Sequence, residues 1–324
     1  MHSIHRSLLL VAALLSAATV SCFSQSYPSR PITMVVPFPA GGPSDVLARV
    51  LSEGMRVSLG QPVMIENVSG AAGSIGVSRV QRAAPDGYTI VLGNLGTHVF
   101  NGAIYPLGYD LLTGFKSVAQ LPANHQLLVV SHNTPASNVT ELIAWTKSHA
   151  DKVTAATAGP GSPSHLSALY FQGTIGTRYQ LVPYRGTSQA MQDLVAGRVN
   201  ILFDQVSSVL PSVRNGNIKA LAVTSATRLT AAPDIPTVDE AGLPGFYTSV
   251  WFGLWAPPGT PEAVVRKLNG AVVDALANTE IRSRMEDLGL AIPPRDQQTG
   301  EALTKLQKAE IEKWWPIIKT FDVH

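Results

Sequence analysis

The chain has 324 residues, of which 45% are hydrophobic and 14% charged, with 24 basic against 22 acidic side chains. This length is enough for about two domains with real cores, and the composition excludes a small disulfide-stapled scaffold and a disordered chain. The formal charge is +2 and no basic run is longer than Arg266-Lys267, which excludes a dedicated nucleic-acid binder.

The first 26 residues are typical of a secretory signal peptide. Arg6 gives a basic start, residues 8–20 are apolar or small, and small polar residues follow through Ser26. The apolar run is shorter than the ~20 residues that span a membrane. We predict cleavage near Ser26 and a periplasmic mature protein, with lipid attachment at Cys22, the only cysteine, as the alternative.

The mature chain repeats one pattern, in which a short apolar run is followed by a Gly-, Pro- or Ser-rich loop and then by an amphipathic stretch. The clearest unit is a strand over 32–36, a loop over 37–43 and a helix that starts at Ser44. This alternation predicts an α/β fold with a mainly parallel sheet flanked by helices. Further strands of the first half are predicted at 61–65, 88–92 and 127–130.

The second half of the chain repeats the same units. Strands are predicted at 152–157, 179–183, 199–203, 218–224 and 250–255, and helices at 164–171, 189–196, 261–276 and 301–315. The last helix is expected to end before Pro316. The Pro- and Gly-rich stretch 233–245 is the expected return crossing between two lobes. We predict that residues 27–127 and 246–324 form lobe 1, that 128–245 form lobe 2, and that the ligand cleft lies between them.

Four Gly-rich loops precede predicted helices in both lobes, at 37–44, 69–74, 158–164 and 185–188. A helix N-terminus carries unpaired N–H groups and partial positive charge, so such loops favour anions. The sequence has no P-loop motif and no correctly spaced dinucleotide fingerprint. Carboxylate is therefore a more natural guest than a nucleotide, although each loop alone is also compatible with a plain strand-to-helix turn.

Several side chains near these loops are candidates for direct contact with a ligand. Arg185 is suited to an ion pair with a carboxylate, and Asp204 to accepting a hydrogen bond from an amino or hydroxyl group. Arg185 is equally compatible with a solvated loop position, and Asp204 with binding nearby loop amides. Ser162 and His165 are one helical turn apart, which keeps an exported hydrolase as a rival, but no nucleophile elbow is present. No metal-ligand spacing is found, and we predict no metal, no cofactor and no enzymatic activity.

These motifs together are similar to a known family. The chain resembles the tripartite tricarboxylate transporter receptors, the Bug-type periplasmic solute-binding proteins, over essentially its whole mature length. The matching segments are 27–45, 70–76, 85–89, 161–166, 182–186, 220–224, 234–238, 240–245 and 251–254.

The resemblance implies a two-lobed, type II-like binding protein that closes like a Venus flytrap on a small carboxylated solute and delivers it to membrane permease subunits. The expected solute is an organic di- or tricarboxylate or an acidic amino acid, and we expect a monomer. A sensory receptor without a transport role is the alternative. Residues 67–69 and Gln189 depart from the family's usual pattern, which leaves the solute's identity open.

In the family, backbone amides of the first strand-to-helix loop and of a facing loop hold the proximal carboxylate. Carried over by position and combined with the candidates above, the predicted binding residues are Phe38, Pro39, Ala40, Gly41, Gly42, Ser44, Asp45, Ser69, Gly73, Ser74, Gly159, Gly161, Ser162, His165, Arg185, Gly186, Thr187 and Asp204.

Overall fold

The structure is a computed structural model that describes residues 27–319. The predicted signal peptide and Cys22 lie outside these residues. In the described part of the chain, no helix combines the length and apolarity needed to cross a membrane. The strands are β1 (Ile32–Val36), β2 (Val63–Asn67), β3 (Thr89–Asn94), β4 (Lys116–Val130), β5 (Thr154–Thr157), β6 (Gln180–Pro183), β7 (Ile201–Gln205), β8 (Lys219–Val223), β9 (Ser249–Ala256) and β10 (Leu290–Ala291).

Ten α-helices accompany these strands within the described range. They are α1 (Pro43–Leu59), α2 (Ser74–Gln81), α3 (Asn101–Ile104), α4 (Val139–Ser148), α5 (Pro163–Ile175), α6 (Thr187–Val195), α7 (Val206–Arg214), α8 (Glu262–Ala277), α9 (Thr279–Asp287) and α10 (Gly300–Ile318). A π-helical turn over Gly96–Phe100 runs directly into α3.

The first strand and helix form as their sequence predicts. β1 is almost wholly buried, and α1 buries Leu47, Leu51 and Met55 completely, because these residues recur every four positions on one face. The helix ends at Gly60, which adopts φ 68° and donates its N–H to the Arg56 carbonyl. A left-handed glycine at this position satisfies a carbonyl that the helix leaves free.

The sheet is mixed, with the order β2-β1-β3-β9-β4-β7-β5-β6. The parallel pairs expected from the sequence lie towards its two ends, where β1 pairs β2 and β3, and β5 pairs β6 and β7. The centre is antiparallel, because β4 pairs β7, β8 and β9 in that sense. Only residues 127–130 of β4 were predicted as strand. The strand is 15 residues long and passes through both halves of the sheet, and register shifts interrupt its pairing with β9.

A separate core packs on each half of the sheet. The half formed by β1, β2, β3 and β9 is covered by α1, α8 and α10 and contains the buried Phe252 and Trp255. We call this half, with its helices, lobe 1. The half formed by β5, β6, β7 and β8 is lobe 2, and β4 residues alternate between its two faces. Leu128 packs with one cluster and Leu127 with the other, as the two-residue period of a strand requires. The predicted lobe boundaries at 127/128 and 245/246 remain a prediction.

The helices differ from the expectation at the end of α10 and in four helices that were not predicted, namely α3, α4, α7 and α9. α10 continues through Pro316 to Ile318, because in the last turn of a helix the proline forfeits only the hydrogen bond to Glu312. Helix α4 was not predicted at all. Its start is marked by Asn138, whose side chain accepts the Glu141 N–H at 2.8 Å, while the Glu141 carboxylate accepts the Ser137 N–H at 2.7 Å.

Candidate functional site

Four helix starts converge on one cavity between the lobes. The loop before α1 faces the loops before α5 and α6, and the β7–α7 junction closes one side. The cavity holds about 430 Å³ of empty space including its open mouth. It is lined by Phe38, Pro39, Gly42, Pro43, Ser44, Asn94, Ala158, Ser162, Pro163, Ser164, Gly186, Thr187, Ser188, Asp204 and Gln205.

Backbone N–H groups at the helix starts are one set of donors that this cavity offers. The first-turn N–H groups of a helix have no intrahelical acceptor. The N-cap residues of α1, α6 and α7 are Gly42, Gly186 and Gln205, and none of them provides a side-chain cap. The N–H groups of Ser44, Thr187 and Ser188 therefore stay available beside the cavity, and the helix dipoles add positive potential there.

The cavity wall carries no cation. Among the lining residues there is no Lys, Arg or His, and Asp204 is the single ionisable side chain. Asp204 is 2% exposed, and burial raises its pKa to about 7, against the opposing effect of hydrogen bonds from the Gln205 N–H and the Ser208 and Thr187 hydroxyls. Attraction for an anion at this site therefore comes from peptide dipoles and neutral side-chain donors, and not from a cation.

Asn94, at the end of β3, adds a side-chain donor that sequence reasoning missed. Its N–H donates to Thr97 Oγ1 at 2.9 Å and its Oδ1 accepts the Thr97 N–H at 3.1 Å. Thr97 Oγ1 lies 2.9 Å from His98 Nδ1, and the His98 ring stacks on Trp255 with centroids 3.7 Å apart. These contacts orient Asn94 so that its amide NH2, which has no partner within residues 27–319, can serve a guest. The signal available in the sequence was its place at the carboxyl end of a strand.

The comparisons with known proteins agree with this geometry. The family model described as the tripartite tricarboxylate transporter family receptor, TctC, matches residues 47–323. The chain belongs to this family. The resemblance stated from the motifs is thereby confirmed.

Three solved structures are similar to this receptor over nearly its whole length. The periplasmic binding protein BugD is 38% identical with a TM-score of 0.87, covering 91% of this chain and 98% of BugD. MatC (Rpa3494) from Rhodopseudomonas palustris, solved with bound malate, is 40% identical with a TM-score of 0.86, covering 90% and 100%. Rpa4515 of R. palustris, solved with adipate, is 33% identical with a TM-score of 0.87, covering 91% and 98%. The predicted two-lobed α/β binding-protein fold is confirmed.

The receptor's structure gathers part of the predicted residue set around the cavity. Eight of the predicted binding residues line it, namely Phe38, Pro39, Gly42, Ser44, Ser162, Gly186, Thr187 and Asp204. The residues Pro43, Ala158, Pro163, Ser164 and Ser188 also line it; they lie within the predicted loops without having been named individually. The sequence did not predict Asn94 and Gln205, which complete the lining. Ten predicted residues lie outside the lining: Ala40, Gly41, Asp45, Ser69, Gly73, Ser74, Gly159, Gly161, His165 and Arg185. Arg185 is exposed, so the ion pair with a carboxylate is not prepared in this structure.

Two of these glycines use their N–H groups inside their own loops. The Gly41 N–H donates to Asp45 Oδ2 at 2.9 Å, and the Gly159 N–H donates to Thr157 Oγ1 at 3.3 Å. Asp45 also accepts from Arg49 at 2.9 and 3.0 Å and from Asn67 Nδ2 at 3.0 Å. Burial alone would raise the pKa of Asp45, but these hydrogen bonds outweigh it and hold the pKa below its usual value. In the receptor as described, Asp45 therefore braces the first loop against α1.

The segment over 69–74 supports that loop from behind. Gly70, Ala71, Ala72 and Gly73 all have φ between 45° and 129°, a left-handed run that costs free energy wherever the residue has a Cβ. A Cβ on Gly73 would lie 2.7 Å from Thr97 Cγ2 and 3.2 Å from the Pro37 carbonyl oxygen, so only glycine permits this close packing. The segment thus fixes the position of the first loop without lining the cavity.

The Ser162–His165 pair starts helix α5 in this receptor. Ser162 Oγ accepts the backbone N–H of His165 at 3.3 Å and lies 3.1 Å from Ser164 Oγ. The imidazole Nδ1 lies 3.3 Å from Thr157 Oγ1, and burial lowers the pKa of His165 to about 4. Within residues 27–319 no contact joins the imidazole to the Ser162 hydroxyl or to a carboxylate, so this geometry gives the hydrolase reading no support.

The two lobes of the receptor contact each other at several points. Ser188 Oγ donates to the Ala40 carbonyl at 3.4 Å, and Tyr105 Oη donates to the Pro160 carbonyl at 2.8 Å. Pro39 lies so close to Gly186 that a Cβ there would be 2.8 Å from Pro39 Cγ. These contacts describe a closed arrangement of the cleft.

Proposed function

We propose that this receptor binds a small organic carboxylate between its lobes in the periplasm and delivers it to membrane permease subunits of a tripartite tricarboxylate-type transporter. One observation carries the proposal: three helix N-termini without side-chain caps border a cavity whose lining residues include no Lys, Arg or His. Such N–H groups bind anions without the strong desolvation cost of a buried ion pair. The ligands in the solved neighbours, malate in MatC and adipate in Rpa4515, support a carboxylate.

The ligand class is tested by calorimetry of the mature protein against matched carboxylates of three to six carbons, beginning with any ligand that mass spectrometry finds retained from expression. At least one carboxylate should bind, and small-angle scattering should show compaction on binding, because loops from both lobes must reach the same guest. Absence of binding across the panel would overturn the proposal.

The role of the backbone donors is tested at Thr187, the first residue of α6. Proline is well tolerated at this position of a helix, and Gly186 before it is extended, with φ 175° and ψ 170°, as a residue before proline requires. Thr187→Pro therefore removes one N–H beside the cavity without breaking a helical hydrogen bond. Thr187→Ala is the matched comparison, since it removes the same hydroxyl and keeps the N–H.

We expect Thr187→Pro to bind the carboxylate about 10- to 140-fold more weakly than Thr187→Ala, because a hydrogen bond to a charged group contributes roughly 1.5–3 kcal/mol. Circular dichroism and melting temperature of the two variants check that α6 is retained. Equal affinities of the two variants would contradict the proposed role of the helix N-terminus.

A further inference from the structure

One carboxylate oxygen inside the cavity has no partner. Asp204 lines the cavity and is 2% exposed, yet its Oδ2 accepts no hydrogen bond from the part of the chain that the structure describes. The Gln205 N–H and the Thr187 and Ser208 hydroxyls form hydrogen bonds with the same carboxylate. Oδ2 is therefore the oxygen of Asp204 that still lacks a donor. Since an unpaired buried acceptor costs free energy, the site is completed by a donor that arrives from outside the protein.

Asp204 is not paired across the sheet with a residue that supplies that donor. Its partner across the sheet is Leu127, which is apolar. The neighbouring Gln205 Oε1 is also without a partner, but it lies across from Gln126, whose Nε2 is likewise unpartnered. Rotation of these two amides can join them, whereas Leu127 offers Asp204 no such partner. Asp204 is therefore the acceptor in this wall that a ligand donor can satisfy.

Given the carboxylate site proposed above, we propose that Asp204 selects ligands that carry a hydrogen-bond donor, a hydroxyl or an ammonium group, in addition to the carboxylate held by the helix N-termini. Asp204 and the uncapped N–H groups of Thr187 and Ser188 line the same cavity, so one small molecule reaches both. The inference rests on the proposed function and narrows its substrate class to hydroxy and amino carboxylates.

An unsubstituted dicarboxylate is a poorer match to this wall. It brings no donor to Oδ2, and its second carboxylate would share a cavity that already holds one acidic side chain and no Lys, Arg or His. Two neighbouring carboxylates with no cation between them repel each other in a buried site. The structure thus favours hydroxy or amino derivatives over an unsubstituted dicarboxylate with the same carbon chain.

The test compares succinate, malate and aspartate, which share one carbon skeleton, and glutarate, 2-hydroxyglutarate and glutamate, which share the next. Each is titrated calorimetrically at one fixed pH into the full mature receptor, into Asp204→Asn and into Asp151→Asn. Asp151 lies in an exposed turn after α4, so Asp151→Asn is a matched carboxylate-to-amide control in the same lobe.

We expect the wild type and Asp151→Asn to bind a donor-bearing ligand at least tenfold more tightly than its unsubstituted counterpart. Asp204→Asn should reduce that ratio by about tenfold while leaving the affinity for the unsubstituted acid equal or improved, an outcome that a folding defect cannot produce. A greater loss for the amino acid than for the hydroxy acid would identify ammonium as the donor.

Equal affinities for substituted and unsubstituted acids in the wild type would overturn the inference while leaving the proposed carboxylate function intact, and this comparison does not require the variant to fold. An unchanged ratio in a folded Asp204→Asn would overturn it as well. Failure of every acid in a full carboxylate panel would instead overturn the proposed function and the inference together.

Discussion

The substitution Gly186→Ala is expected to hinder closure of the two lobes without destabilising the free protein. The backbone of Gly186 has φ 175° and ψ 170°, an extended conformation that alanine adopts without strain. The new Cβ would lie 2.8 Å from Cγ and 3.0 Å from Cδ of Pro39, which belongs to the other lobe. Because both atoms sit in a proline ring, the contact is relieved by moving the lobes apart rather than by rotating a side chain.

The expected loss of affinity follows from the free-energy cost of overpacking by one methyl group. Overpacking at a close contact costs roughly 1–3 kcal/mol, and each 1.4 kcal/mol is a factor of ten in affinity. If ligand binding requires the closed cleft, Gly186→Ala should therefore bind its carboxylate about 5- to 140-fold more weakly. The melting temperature without ligand should hardly change, since an opened cleft does not contain the clash.

Calorimetry measures the affinity, and small-angle scattering with and without ligand measures the closure. Gly108→Ala is the matched control, because Gly108 lies on the surface of lobe 1, outside the left-handed region, with no atom within 4 Å of its added Cβ. Unaltered affinity in Gly186→Ala would refute the reasoning. So would a weaker affinity accompanied by an equally large fall in the melting temperature of the free protein.

The remaining predictions concern pH and the second contact between the lobes. Burial lowers the pKa of His98 to about 3, so the unfolded chain binds the extra proton first and stability is lost as pH falls below about 6.5. Between pH 7 and pH 5, the free energy of unfolding of His98→Gln should therefore fall by about 2 kcal/mol less than that of wild type. The raised pKa of Asp204, about 7, has the opposite sign, because the native state takes up the proton first. Asp204→Asn should therefore lack a gain of about 2 kcal/mol in the free energy of unfolding between pH 7 and pH 5. Denaturant titrations at both pH values measure this free energy for the two variants. A pH dependence identical to that of wild type would contradict the burial of these groups. Tyr105→Phe removes the hydrogen bond to the Pro160 carbonyl. It should weaken ligand binding about 2- to 10-fold, since a neutral hydrogen bond contributes about 0.5–1.5 kcal/mol. An unchanged affinity in calorimetry would show that this contact does not contribute to the closed state that binds the ligand.

Much of the fold was readable from local patterns. The unit of β1, its Gly-rich loop and α1 followed from an apolar run, a cluster of turn residues and a four-residue repeat of apolar side chains, all of which act within about twenty residues. The antiparallel pairing of β4 with β9 did not follow, because it joins segments more than a hundred residues apart. A strand that passes through both lobes carries no local mark that separates it from two shorter ones.

The candidate site likewise has features that the sequence predicts and others that only the tertiary structure decides. Gly-rich loops before helices were sufficient to predict an anion site and the family, since unpaired N–H groups at a helix start are a property of the backbone. Which N–H groups remain free depends on neighbours that only folding brings near. The Gly41 N–H is taken by Asp45 and that of Gly159 by Thr157, while that of Thr187 stays uncapped.

Side chains show the contrast most clearly. Arg185 carried the charge that a carboxylate would attract, yet the structure leaves it exposed and outside the cavity. Asp204, a like charge to the expected guest, is instead buried in the wall with an unsatisfied oxygen. Residue type and spacing establish which chemistry a chain can offer. Burial and through-space partners, which arise only when the lobes assemble, select the groups that face the ligand, because hydrogen bonds and desolvation act over a few ångströms of space and not along the chain.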